Sequence, residues 1–147
     1  MTKIGGEIGS DRGKGSGHDT MPIPLSSPLF LYPSDSPSLK LTHTLFNGDN
    51  YELWAEAVKN GLDAKKKLGF VDGTVKKPEG SEVDNYELVA WRQCNAMIKA
   101  WLRNVIDEKL HPSIAFTASV AEIWKELKER YAAGNAPRVH QLKSDLT

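Results

Sequence analysis

Three stretches of this sequence repeat apolar side chains at the spacing of one helix face, and each of them contains tryptophan. Tyr51, Trp54, Ala55, Val58 and Leu62 form the first ladder, at i, i+3, i+4, i+7 and i+11. Leu88, Trp91, Ile98, Leu102 and Val105 form the second, widened by Cys94, Met97 and Trp101. Val120, Ile123, Trp124, Leu127 and Tyr131 form the third. A tryptophan buries on the order of 150–250 Å². A chain of 147 residues with four of them must bring these faces together. The expected fold is therefore all-α, a small domain of three to four helices. Trp54, Trp91 and Trp124 are expected as core pins. Trp101, at the stripe edge between Lys99 and Arg103, is expected to line an intersubunit or peptide-binding surface.

Local signals set the boundaries. Asn47-Gly48-Asp49-Asn50 is a turn cluster, and Asp49 with Glu52 resembles a capping box, so the first helix should start near Asn50. Lys65, Lys66 and Lys67 suit a helix C-terminus, and Gly69 is the expected stop. Phe70 to Val75 is β-prone around Asp72-Gly73 and predicts a tight turn or minimal hairpin. The second helix is expected from about Val83 to Val105, with Pro112 blocking continuation. Ser119 followed by Glu122 is a capping box in its usual form. Gly134 and Asn135 should end the third helix, and Pro137 suits the first turn of a fourth with Val139, Leu142 and Leu146. That pattern is still running at Thr147, which reads as truncation within the last helix.

Residues 1–37, rich in Gly, Ser and Pro, read as a flexible, disordered arm, with the helical domain at 38–147. The patch Pro28 to Pro33 interrupts it with Phe30 and Tyr32. It reads either as linker or as an extended docking peptide lying along the domain or a neighbouring subunit. Leu39 to Phe46 alternates apolar and polar residues, as an extended lead-in segment does.

Chemistry is not visible in the motifs. Phosphate loops, nucleophile elbows and metal-ligand spacings among His18, His43, His111 and His140 are lacking, and neither a cofactor nor a metal is expected. Cys94 lies in an apolar stripe and reads as a small packed hydrophobe. Asp107 and Glu108 are adjacent, point apart on a helix and read as a solvated turn. The chain is not expected to be an enzyme. Nineteen basic residues balance nineteen acidic ones, four against four in 1–48 and fifteen against fifteen in 49–147, so no global field draws nucleic acid. The lysine run reads first as a solvated turn; weak RNA contact through Lys65, Lys66, Lys67, Lys76 and Lys77 is the alternative. The start lacks a secretory apolar run, and Pro22, Pro24 and Pro28 cut the most apolar early segment, so neither secretion nor membrane insertion is expected.

Four ordered blocks give the sequence a family resemblance. They are Leu45-Phe46-Asn47-Gly48-Asp49-Asn50-Tyr51 with Trp54; Lys67 to Thr74; Trp91 to Ile98 with Cys94, Asn95 and Trp101-Leu102; and Ala121 to Leu127 through Arg130-Tyr131. Together they resemble the N-terminal region of plant Ty1/copia-type retrotransposon Gag proteins, from about Pro28 onward. The resemblance implies a helical, capsid-like fold whose partners are other Gag chains in cytoplasmic virus-like particles around element RNA. Asn50, Tyr51, Trp54, Trp91, Cys94, Asn95, Trp124, Leu127 and Tyr131 are its signature positions. Such proteins usually continue into a further helical region and a zinc knuckle, where RNA is bound; one cysteine cannot build that knuckle. A domesticated adaptor binding a linear host peptide is the alternative function.

Overall fold

The computed structural model describes residues 23–81 and 83–133. Residues 1–22 of the expected arm and the expected fourth helix beyond Pro137 lie outside them. Four α-helices form among the described residues: α1 Tyr51–Ala64, α2 Gly69–Asp72, α3 Tyr86–Asn104 and α4 Val120–Tyr131. A 3-10 helix, Glu108–Ser113, follows α3. The all-α expectation holds. The hairpin expected at Phe70–Val75 does not form, because α2 occupies its first half and Gly73, at φ +87°, turns the chain out of it.

The ladders do bury their faces. Tyr51, Trp54, Ala55, Val58 and Leu62 are all buried on α1, and Val120, Ile123, Trp124 and Leu127 on α4. In α3 the buried stripe is rotated from the expected one. Cys94, Ile98, Trp101 and Leu102 are fully enclosed, whereas Trp91 and Met97 are only partly buried. Residues 28–39 pack along the side of α3 that carries Cys94 and Trp101, and this extra layer decides which face is interior.

Phe46 ties the lead-in segment to the end of α3. Its N–H donates to Val105 O at 2.8 Å, and its carbonyl accepts from Asp107 N at 2.9 Å, giving an isolated parallel bridge between Phe46 and Ile106. Trp54 Nε1 donates to the same Val105 carbonyl at 3.0 Å, which satisfies its polar atom inside the core. Phe46 stands 4.9 Å from Trp54 and 5.0 Å, edge to face, from Tyr131; Trp54 stands 5.5 Å from Trp124. Four aromatic rings from three separate segments thus close one cluster.

The helix ends follow their chemistry only in part. Ser119 Oγ accepts from Glu122 N at 3.2 Å, as the capping box predicts. Asn85 caps α3 through Leu88 N at 3.0 Å, so that helix starts at Tyr86 rather than Val83. The Asp49/Glu52 box is not made. Asn50 is the N-cap without a side-chain cap bond, and its amide turns back to Leu45 O and Asn47 N. Glu52 instead accepts from Ala133 N at 2.7 Å, which joins the start of α1 to the end of α4. Gly69 does not stop α1 either. The stop comes at Lys65, followed by Lys66 in the left-handed region at φ +62°.

Candidate interaction surfaces

Two surfaces combine polar groups with apolar walls. The first is the groove covered by residues 28–39. Helix-domain side chains reach up and donate to the main-chain carbonyls of that strap. Cys94 Sγ lies 3.2 Å from Leu29 O, Lys67 Nζ 2.7 Å from Phe30 O and Trp101 Nε1 2.6 Å from Ser36 O. Asn104 Nδ2 donates to both Pro37 O, at 2.7 Å, and Leu39 O, at 3.0 Å. Leu29, Leu31 and Leu39 pack against the core from the strap side. The strap itself is a run of turns, in which Asp35 N donates to Tyr32 O and Asp35 Oδ2 accepts from Tyr32 N, each at 2.9 Å. Phe30 and Tyr32 meet edge to face at 5.0 Å, and the Tyr32 hydroxyl donates to Leu25 O.

The charged residues here are not a solvated turn. Lys67 is fully buried, and Lys65 Nζ forms a 2.7 Å salt bridge with Asp35, whose side chain is 1% exposed. Lys65 also lies over the Trp101 ring at 5.7 Å from its centroid. Burial pushes the Lys67 ammonium below its ordinary range, with the nearby Cys94 and Asp35 opposing that shift. Burial raises Asp35, but its bonds from Lys65 and Tyr32 and the charges of Lys65 and Lys67 outweigh it, and the net pKa falls. Desolvation drives the Cys94 thiol up to about 11 despite Lys67. A thiol so held is a packed weak donor, not a nucleophile.

Trp101 and Trp91 exchange their expected places. Trp101, expected at an exposed surface, is fully enclosed, because its indole N–H has a carbonyl to meet on the strap. Trp91, expected as a core pin, is half-buried and forms a wall of the second surface, a cleft of about 490 Å³. Phe70 stacks on it at 6.3 Å, Lys77 Nζ sits 5.6 Å from its ring, and Val75, Ala118, Ala121 and Glu122 are among the other lining residues. Its Nε1 is the one buried side-chain nitrogen or oxygen among the described residues with no hydrogen-bond partner.

Of the five lysines considered for RNA, Lys67 is inaccessible and Lys65 is engaged by Asp35; Lys66, Lys76 and Lys77 are exposed. Asn95, which sequence reasoning placed only as a signature position, has a visible task. Its Oδ1 accepts from Val120 N at 3.0 Å and its Nδ2 donates to Ala118 O at 3.1 Å, so a buried amide serves the first turn of α4. Tyr51 and Leu127 are buried, and Tyr131 packs partly buried on Phe46. Among the described residues no group of three or more His, Cys, Asp or Glu gathers as a metal site, and no helix is long and apolar enough to cross a membrane.

The strap groove thus aims its side-chain donors at main-chain carbonyls. Residues 32–79 match the model of the Gag-polypeptide family of LTR copia-type. The chain is similar to the Retrovirus-related Pol polyprotein from transposon RE1 of Arabidopsis thaliana, 26% identical over 113 residues, covering 73% of this chain and 7% of that protein. It is similar also to the polyprotein from transposon RE2 of the same plant, 27% identical over 110 residues, covering 71% of this chain and 7% of that protein. The chain thus spans about 7% of the length of these curated relatives. No solved structure matches it significantly.

Proposed function

We propose that this Gag module is non-enzymatic and works by binding other Gag chains during particle assembly in the cytoplasm. The observation that carries the reading is Phe116. It stands 97% exposed in the turn before α4, while Phe46 and Phe70 are buried and Phe30 is half-buried. Leu53 on the outer face of α1 and Val83 before α3 are likewise 69% and 77% exposed. A fully solvated phenylalanine contributes nothing to the fold, and aromatic side chains are the common anchors of protein interfaces. Sedimentation across a concentration series tests this. Association should weaken in Phe116→Ser while the melting temperature stays unchanged; a strict monomer at every concentration and salt would remove the reading.

The cleft beside Trp91 favours a second reading, an adaptor that binds a linear peptide. Its walls, Phe70, Val75 and the half-buried Trp91 ring, suit the apolar side chains of an extended peptide. Titration with leucine- and proline-rich peptides should then move the Trp91 indole resonance, and an unmoved resonance would leave only the first reading. RNA contact through Lys66, Lys76 and Lys77 is the weakest reading, with packaging left to downstream regions; it predicts binding that falls steeply with salt.

A further inference from the structure

We infer that the strap, residues 28–39, is exchanged between copies of this chain, each copy's strap seating in the groove of the other. The inference rests on the self-association proposed above and names the surface that would carry it.

The helix domain recognises the strap as it would a separate peptide. Lys67, Cys94, Trp101 and Asn104 donate to strap carbonyls, so the bonds do not depend on which strap side chains are present. Register is set by charge. The groove presents Lys65 and the buried Lys67, and the carboxylate that meets them, Asp35, lies five residues beyond the carbonyl that Lys67 binds. An occupant without a carboxylate at that spacing leaves two ammonium groups facing each other in a half-dry site. The occupant whose sequence meets this demand is the strap itself, which makes a second copy the fitting partner.

The connection allows the exchange. Between Leu39, the last strap residue gripped, and Phe46, the anchor on α3, residues 40–45 form neither helix nor strand. Extended, six residues reach at most about 20 Å. At Gly61 the lack of a side chain lets this linker pass, since a Cβ there would stand 2.8 Å from Leu41 O.

The same contacts form whether the strap comes from its own chain or another. Those energies cancel in the comparison, so the linker's own contacts, such as Leu41 against Gly61, and concentration decide. A short tether gives an effective concentration in the millimolar range. A solution of dilute chains therefore keeps its straps at home, and copies crowded in a shell exchange them. Reciprocal exchange closes a two-fold pair, the low-cost route to a dimer.

Charge reversal tests this. Asp35→Lys alone and Lys65→Asp alone each place like charges together within one chain. Mixed, they restore both bridges only in a pair that has exchanged straps. Native mass spectrometry should show such mixed pairs in about tenfold excess over pairs of either variant alone. The double variant Asp35→Lys/Lys65→Asp restores the bridge within one chain and should return to wild-type stability. Mixed variants that remain monomeric beside a folded double variant would overturn the inference. A second measurement needs no variant. Wild-type chains in light and heavy isotopes are mixed near millimolar concentration and treated with a carbodiimide, which joins Lys65 to Asp35. Links between light and heavy chains, rising with concentration, are expected. Association without such links would remove strap exchange and leave assembly through another surface; absence of association would remove both.

Discussion

The ammonium of Lys67, fully buried at the end of α1, donates a 2.7 Å hydrogen bond to the carbonyl of Phe30, thirty-seven residues earlier in the chain. A lysine is seldom enclosed unless something inside requires its charge or its donor. Here both are used, since the same cation lowers the pKa of Asp35. The strap and the helix domain are thereby joined by an interaction that neither apolar pattern nor helix propensity would supply.

Lys67→Ala should destabilise by about 2–4 kcal/mol, because it removes a buried stem as well as the donor. Lys67→Met keeps most of the volume and should cost about half as much, since loss of the bond is partly offset by removing a buried charge. Urea denaturation of the two variants separates packing from hydrogen bonding.

Asp35 predicts acid loosening of the strap. Its folded pKa is lowered from the ordinary 3.8, so the stability it contributes is fully present above that value and is lost as pH falls through the folded pKa. The wild type should exceed Asp35→Asn by about 1–3 kcal/mol near neutral pH, between the values for exposed and buried pairs. The two stability curves should converge once the pH has fallen below the folded pKa of Asp35. A gap that persists in acid would place the contribution elsewhere.

Cys94 is a built-in reporter of the same contact. With its pKa at about 11, it should react slowly with iodoacetamide at neutral pH. Asp35→Lys should speed the reaction about tenfold or more by uncovering the thiol beneath Leu29. Equal rates in the two proteins would show that the strap does not shield it.

The tryptophans should separate by burial rather than by position in the ladders. Trp54→Ala and Trp101→Ala should each cost about 3–5 kcal/mol, because both rings are enclosed and both indole N–H groups are bonded. Trp91→Ala should cost less, about 1–2 kcal/mol, since one ring face opens on the cleft. Thermal unfolding by circular dichroism ranks the three.

Helix content was written into the chain by local rules. The ladders at Tyr51–Leu62 and Val120–Leu127 predict both the helices and their buried faces, because an amphipathic period is a property of neighbouring residues. Ser119 marks its helix start for the same reason: the cap and the N–H it bonds are three residues apart. The likeness to copia-type Gag was legible too, in blocks such as Leu45 to Trp54 and Lys67 to Thr74, which lie within the matching residues 32–79.

What lay beyond local rules came from the long-range partners. The interior face of α3 depends on the strap that covers it. The ladder could therefore not say that Trp101 would find Ser36 while Trp91 would find an open cleft. Lys65 and Lys67 resemble a solvated helix end because the groups that hold them inside are not their sequence neighbours. Their partners, Asp35 and the Phe30 carbonyl, lie thirty and thirty-seven residues away. The spacing of apolar residues by itself determined that this chain would be a helical body built on tryptophan. Only the tertiary structure decided which tryptophan is enclosed, because burial is shared between segments and belongs to none of them singly.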